Sequence, residues 1–186
     1  MTGQRSDFTR NERRIVDAAA RLLSDSPTAG MSEIAAAAGL GRATLYRHFP
    51  TREALIAGMR AEAYDAVAEV IARHRACDEQ TGGFAGFVEE LLDVGERYRI
   101  VLGGRPGERD AEEARRRFEL PLVELVQQAQ RRGEVDPGVP PLWVVIGLAG
   151  VLDGTHRARA DGRIGTADAK RLAVRALLRG FGAPAA

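Results

Sequence analysis

The sequence predicts an all-α protein, an N-terminal three-helix unit followed by a larger helical domain. Apolar residues recur at three- and four-residue spacing along nearly the whole chain, and no run of β-branched residues alternates as a half-buried strand requires. Segments rich in glycine and proline separate these runs at helix-length intervals. The composition, 45% hydrophobic and 28% charged over 186 residues, is apolar enough for a packed core.

Ile15, Ala18, Ala19, Leu22 and Leu23 fall on one stripe, so a first helix is expected over 9–24, with Thr9 as its cap and Asp25-Ser26-Pro27 as its end. A short second helix holds Ile34, Ala35 and Ala38. Gly39 stops it, because glycine accepts the left-handed backbone of a tight turn. A third short helix begins near Arg42 and is broken by Pro50. Thr51 then caps a longer helix running to His74, with Leu55, Met59, Ala63, Ala66 and Val70 along one stripe. Residues 1–52 are therefore assigned to a first domain and 53–186 to a second.

The polar segment CDEQTGG at 77–83 opens the remainder. Phe84, Phe87, Val88, Leu91, Leu92, Gly95, Tyr98, Val101 and Leu102 then mark an amphipathic helix. GGRPGERD at 103–110 reads as a loop, and ERDAEEARRR as a solvated helix start with favourable charge pairs. Phe118, Leu122, Leu125 and Ala129 form the next stripe, kinked or interrupted at Pro121. Leu142–Leu152, LWVVIGLAGVL, is apolar on all sides but far shorter than the roughly 20 residues that span a bilayer. One face is expected to meet its own core and another a second subunit. A last helix over 166–181 joins the same contact, and the predicted interface comprises Val145, Leu148, Leu152, Val174, Leu177, Leu178 and Phe181.

Residues 1–60 carry nine arginines against six acids, so the basic excess lies at the N-terminal end although the net charge is only +1. A single cysteine, Cys77, rules out an intramolecular disulfide and a cysteine-based zinc cluster. The opening MTGQRSDFTRNERR lacks the apolar core of a secretion signal, so a cytoplasmic protein without a membrane anchor is expected. No Ser/His/Asp set, carboxylate pair, metal-ligand spacing or phosphate-cradling glycine loop points to catalysis or to a cofactor. His74 and His156 each stand alone and read as core or solvated residues. Asp153 and His156 share a helical face but have no third partner for a metal.

The spacing Ala35, Gly39, Leu45 is that of a helix-turn-helix. A small residue lets the second helix approach, glycine turns the chain four residues later, and a branched apolar residue six further on locks the second helix. Leu45 and Phe49 face inward together, which turns Arg42, Ala43, Thr44, Tyr46, Arg47 and His48 outward. Cations and aromatics crowd there as they would on a face that meets a polyanion.

RIVDAAARLL, MSEIAAAAGLGRATLYRHFPTREAL and the all-helical remainder resemble the TetR family of transcriptional regulators. The resemblance implies that Arg42, Ala43 and Thr44 begin a recognition helix that reads base edges in the major groove. It also implies that Tyr46, His48 and Arg52 hold phosphates, and that Arg47 occupies a variable contact position. Arg52 stands where lysine is commoner. Gly30 stands where many members place a threonine or serine cap, and Ser32 is the residue expected to substitute in capping or phosphate contact. The implied partners are a palindromic double-stranded DNA operator, a small-molecule effector and a second copy of the chain.

The implied effector pocket lies in the second domain. Phe87, Leu91, Tyr98, Phe118, Leu122 and Trp143 are its candidate lining, with room left opposite Gly95 and Gly147. A small-molecule carrier or enzyme with an incidental helical hairpin, or a regulator without ligand control, are the alternative readings.

Overall fold

A computed structural model of the chain describes residues 2–76, 82–98, 101 and 115–182, and only the backbone of 2–9, 115 and 166. The described residues form eight α-helices and no strand, with one isolated bridge between Val135 and Gly182. They fall into two compact units, Met1–Asp65 with Arg97–Leu102, and Ala66–Glu96 with Gly103–Ala186.

In the first unit, α1 (Thr2–Asp25) begins earlier than its periodicity suggested. No proline interrupts TGQRSDF, so the helix runs on and Thr9 lies inside it rather than capping it. Its inner stripe, including Ile15, Ala19 and Leu23, is fully buried.

Helix α2 (Met31–Ala37) starts at Gly30. Glycine offers no capping oxygen, and Glu33 supplies the reciprocal half of a capping box by accepting a 2.8 Å bond from the Gly30 N–H. The end of α2 is a Schellman turn. Leu40 N–H donates to Ala35 O and Gly39 N–H to Ala36 O, both at 2.9 Å, with Gly39 at φ +63°. Arg14 of α1 donates to the Ala38 carbonyl at 3.0 Å, fixing the turn to the first helix.

Helix α3 (Arg42–His48) buries Leu45 completely. Phe49 follows in extended conformation, as a residue before proline must, and its ring is buried. A Cβ at Gly58 would lie 2.7 Å from that ring, so the bare backbone of the next helix makes the seat for Phe49. That helix, α4 (Arg52–Ala76), is capped by Thr51, whose hydroxyl accepts from Ala54 N–H at 3.1 Å. Leu55, Met59 and Ala63 are fully buried along it. The division between the units falls inside α4, after Asp65.

In the second unit, α5 (Gly83–Arg97) buries Phe84, Phe87, Val88, Leu91 and Leu92. A π-helical turn at Arg115–Glu119 leads into α6 (Leu120–Arg131). Pro121 sits in the first turn of α6 directly after the π-helical turn, so the run is interrupted just before the proline, as expected. Helices α7 (Pro141–Ala160) and α8 (Thr166–Phe181) complete the unit around a core that also includes Val70, Ile71, Leu125 and Ala129. Glu134 accepts from Phe84 N–H at 2.5 Å, and Gln130 donates to the carbonyls of Asp136 and Val139, tying down the α6–α7 connection.

Two expectations for this unit are corrected. Trp143 is 60% exposed, so it is no core residue; Leu142, Ile146 and Leu172 are exposed with it. Of the predicted interface residues, Val145, Leu148 and Leu177 are instead buried in the subunit's own core, while Leu152, Val174, Leu178 and Phe181 pack against that core and stay partly exposed. In addition, the space opposite the two glycines is filled. A Cβ at Gly95 would lie 2.3 Å from the His156 ring, and one at Gly147 2.3 Å from the Phe181 ring. Cys77, most of CDEQTGG, the GGRPGERD segment and most of ERDAEEARRR lie outside the described residues.

The turn gives a test with two signs. Gly39→Ala forces a side chain into the left-handed region and is expected to destabilise the first unit by about 1–2 kcal/mol. Gly41→Ser, at an extended N-cap with open space around it, should stabilise by a few tenths of a kcal/mol. Urea denaturation of both variants measures the pair.

Candidate nucleic-acid interface

The Schellman turn and the burial of Leu45 and Phe49 fix which side of α3 faces outward. Arg42, Ala43 and Arg47 are exposed on it, Tyr46 is 46% exposed, and Thr44 and His48 are half-buried at its edges. No acid occurs in α3, so this face is basic along its length. Arg47 donates to the Thr44 hydroxyl at 3.1 Å, which lays the guanidinium back along the helix. Arg42, Ala43, Thr44, Tyr46, Arg47 and His48 therefore come together on one surface, as the spacing predicts.

Ser32 is half-buried in the first turn of α2 and makes no side-chain hydrogen bond among the described residues; the capping oxygen comes from Glu33. Arg52 is placed differently from a free phosphate ligand. Its guanidinium donates to Ala29 O at 2.5 Å and to Pro27 O at 2.9 Å, so it staples the α1–α2 connection to the start of α4. Beside it, the Glu53 carboxyl is held below the usual carboxylate range by its own backbone N–H, then by the Thr51 hydroxyl and the Arg52 charge. An ionised Glu53 partly cancels the field of Arg52.

Sequence reasoning missed Arg14 and the pair between Arg97 and Asp17, which lies within the first unit. Arg14 borders the buried stripe of α1, and only the position of the Ala38 carbonyl reveals its partner. Of the candidate pocket residues, Phe87 and Leu91 are buried in the second unit and Phe118 and Leu122 partly buried there. Tyr98, buried, belongs to the first unit instead. Asp153 pairs with Arg157 at 2.6 Å, one turn on. His74 is buried edge-on to Phe87, 5.5 Å between ring centroids, with Glu90 Oε1 3.4 Å from its Nε2.

Residues 15–59 match the family described as bacterial regulatory proteins, tetR family. The transcriptional repressor LfrR of Mycolicibacterium smegmatis is 30% identical over 157 residues, covering 82% of this chain and 81% of LfrR. The chain belongs to the TetR family.

The crystal structure of LfrR from Mycobacterium smegmatis in complex with proflavine superposes with a TM-score of 0.64 at 27% identity, covering 95% of this chain and 99% of that one. A TetR regulator from Mycobacterium vanbaalenii shares the fold at a TM-score of 0.70 and 24% identity, covering 96% and 99%. The protein is thus a DNA-binding transcriptional regulator and not an enzyme. No helix among the described residues is long and apolar enough to cross a membrane.

Arg52→Lys keeps the charge but cannot span two carbonyls in a fixed fork. It is expected to cost about 1 kcal/mol of stability through a lost charge-assisted bond, read as a lowered Tm. An unchanged Tm would show that the two carbonyl contacts carry no weight.

Proposed function

We propose that this TetR-family protein is a homodimeric repressor that binds a palindromic operator and is released by a small molecule. The observation that carries the reading is the basic, acid-free outer face of α3 on a turn held by Gly39 and Arg14. Arg42 and Thr44 stand at the end of that helix that enters the major groove in helix-turn-helix proteins, where arginine can grip guanine bidentately and the threonine methyl can meet thymine. Tyr46 and His48 fit phosphate contacts, and Arg47, now bonded to Thr44, can reach either. Arg52 acts through the fold of the unit. Repression as the sign of regulation is supported by the relation to LfrR.

Dimerisation fits the exposed residues better than the buried ones. Leu142, Trp143 and Ile146 on α7 and Leu172 on α8 leave large apolar side chains in water, and a second copy would cover them. Effector binding is assigned to the second unit, with Phe87, Leu91, Phe118 and Leu122 as the nearest aromatic and aliphatic walls. Proflavine, a flat aromatic cation, occupies the LfrR structure and is the first compound to try. The route back to DNA runs through α5, whose last residue, Arg97, joins Tyr98 in the first unit and pairs with Asp17 of α1.

Selection from randomised duplex DNA tests the core of the reading. An enriched palindrome with half-sites about one helical turn apart is expected; no enrichment from folded protein would sink it. On that operator, Arg42→Ala should relax preference at particular base pairs and Tyr46→Ala should weaken all sequences alike, with an unchanged salt slope because no charge is lost. Fluorescence anisotropy across a salt series separates the two.

Ile146→Asp should yield a folded monomer, since the residue is 52% exposed in the single chain. Sedimentation of a stable dimer by that variant would place the interface elsewhere.

A further inference from the structure

The second unit carries a groove of about 690 Å³ on its surface, formed by α8 and by Glu89 of α5. Val174 and Leu178 form its floor; both are half-buried and pack on the core beneath. Arg171, Arg175 and Arg179 follow one another every four residues along its rim, which places three guanidinium groups on one helical stripe over about 12 Å.

One end of this stripe is neutralised. Lys170 donates to both oxygens of Asp93, at 3.0 and 2.9 Å, and Arg171 donates to Asp168 at 2.8 Å. Arg175 and Arg179 have no ion pair among the described residues, and Glu89, the acid that faces the groove, pairs with neither. The helix dipole favours Arg179 in the last turn of α8, while its like charge four residues from Arg175 repels. An anion bridging the two would remove the repulsion.

We propose that the groove binds an anionic amphiphile, with a carboxylate held by Arg175 and Arg179 and an acyl or aryl body lying on Val174 and Leu178. Guanidinium forks match a carboxylate in plane and in spacing. A small polar anion would satisfy the arginines but leave the apolar floor in water, and a neutral apolar body would leave the charges unanswered. The methylene stems of the arginines extend the apolar floor upward, and the volume falls in the range of small-molecule sites. Leu172, on the face assigned to the second copy, lies about 200° around the helix from Val174 but only about 20° from Arg179, so the floor of the groove turns away from that face while its rim at Arg179 borders it. The site does not depend on where the effector binds.

The full-length protein is titrated with dansylundecanoic acid, a fluorescent long-chain carboxylate, and with its methyl ester. The acid is expected to bind at least about tenfold more tightly than the ester, and Arg175→Gln with Arg179→Gln should abolish that preference. Both arginines are exposed, and circular dichroism verifies that the double variant is folded. Glu89→Gln removes the opposing charge and should tighten acid binding several-fold, a gain that misfolding cannot mimic. Equal binding of acid and ester, or an acid affinity untouched by the double variant, would overturn the proposal and assign the probe to another site. So would loss of self-association in the ligand-free double variant, because the groove would then be covered by a second copy.

Discussion

The left-handed turn at Gly39 is the constraint on which the DNA-facing unit depends. A two-bond Schellman closure sets the direction in which the chain leaves α2, and Arg14 binds the last free carbonyl of that helix from α1. With the direction set, Leu45 enters the core of three helices and Phe49 drops onto the bare backbone of Gly58. Those two anchors, one turn apart, determine the rotation of α3 about its axis. The outward set from Arg42 to His48 then follows without further specification. Recognition residues in this unit can vary while the presentation of the helix stays fixed, since none of the anchors is on the outer face.

The second unit is governed by a different use of glycine. Gly95 and Gly147 are helical residues whose missing side chains admit the rings of His156 and Phe181. A glycine in a helix costs about 1 kcal/mol relative to alanine, and here close packing between neighbouring elements offsets it. The same packing removes the space that a reading of small residues opposite large ones assigns to a ligand. Small residues in a helix report that something large comes near; they do not say whether it is a ligand or the chain itself. Phe87 and Leu91 are themselves closed in by that packing.

Legibility in the sequence followed the range of the interaction. Helices α2, α3, α4 and α8 were readable because their signals are local: Gly39 and Pro50 as stops, Thr51 as a cap, and apolar spacing along each helix. The outward face of α3 was readable for the same reason, given Leu45 and Phe49. The partner of Arg52 was not, because the carbonyls of Pro27 and Ala29 lie more than twenty residues away and backbone acceptors leave no trace in sequence. Periodicity also failed in Leu142–Leu152. An all-apolar helix does not reveal which side is its own core, and only the fold shows Val145 and Leu148 turned inward with Trp143 and Ile146 left outside.

Energetics limit how the effector could act on DNA binding in the proposed scheme. Allosteric control of useful size needs a coupling of about 1–3 kcal/mol. The Arg97–Asp17 pair is partly exposed on both sides, and pairs of that kind contribute about 0–1 kcal/mol after solvent screening. It therefore cannot carry the coupling alone. Tyr98 follows it directly and is buried in the first unit, and withdrawing such a side chain would cost several times more than breaking the ion pair. Since α5 holds Leu91 and Leu92 in the core of the second unit and ends one residue before Tyr98, a shift of this helix would act on both terms together. In that scheme Arg97 would serve to register the end of α5 on α1, and withdrawal of the buried tyrosine would supply most of the free energy that distinguishes one state of the DNA-binding unit from the other.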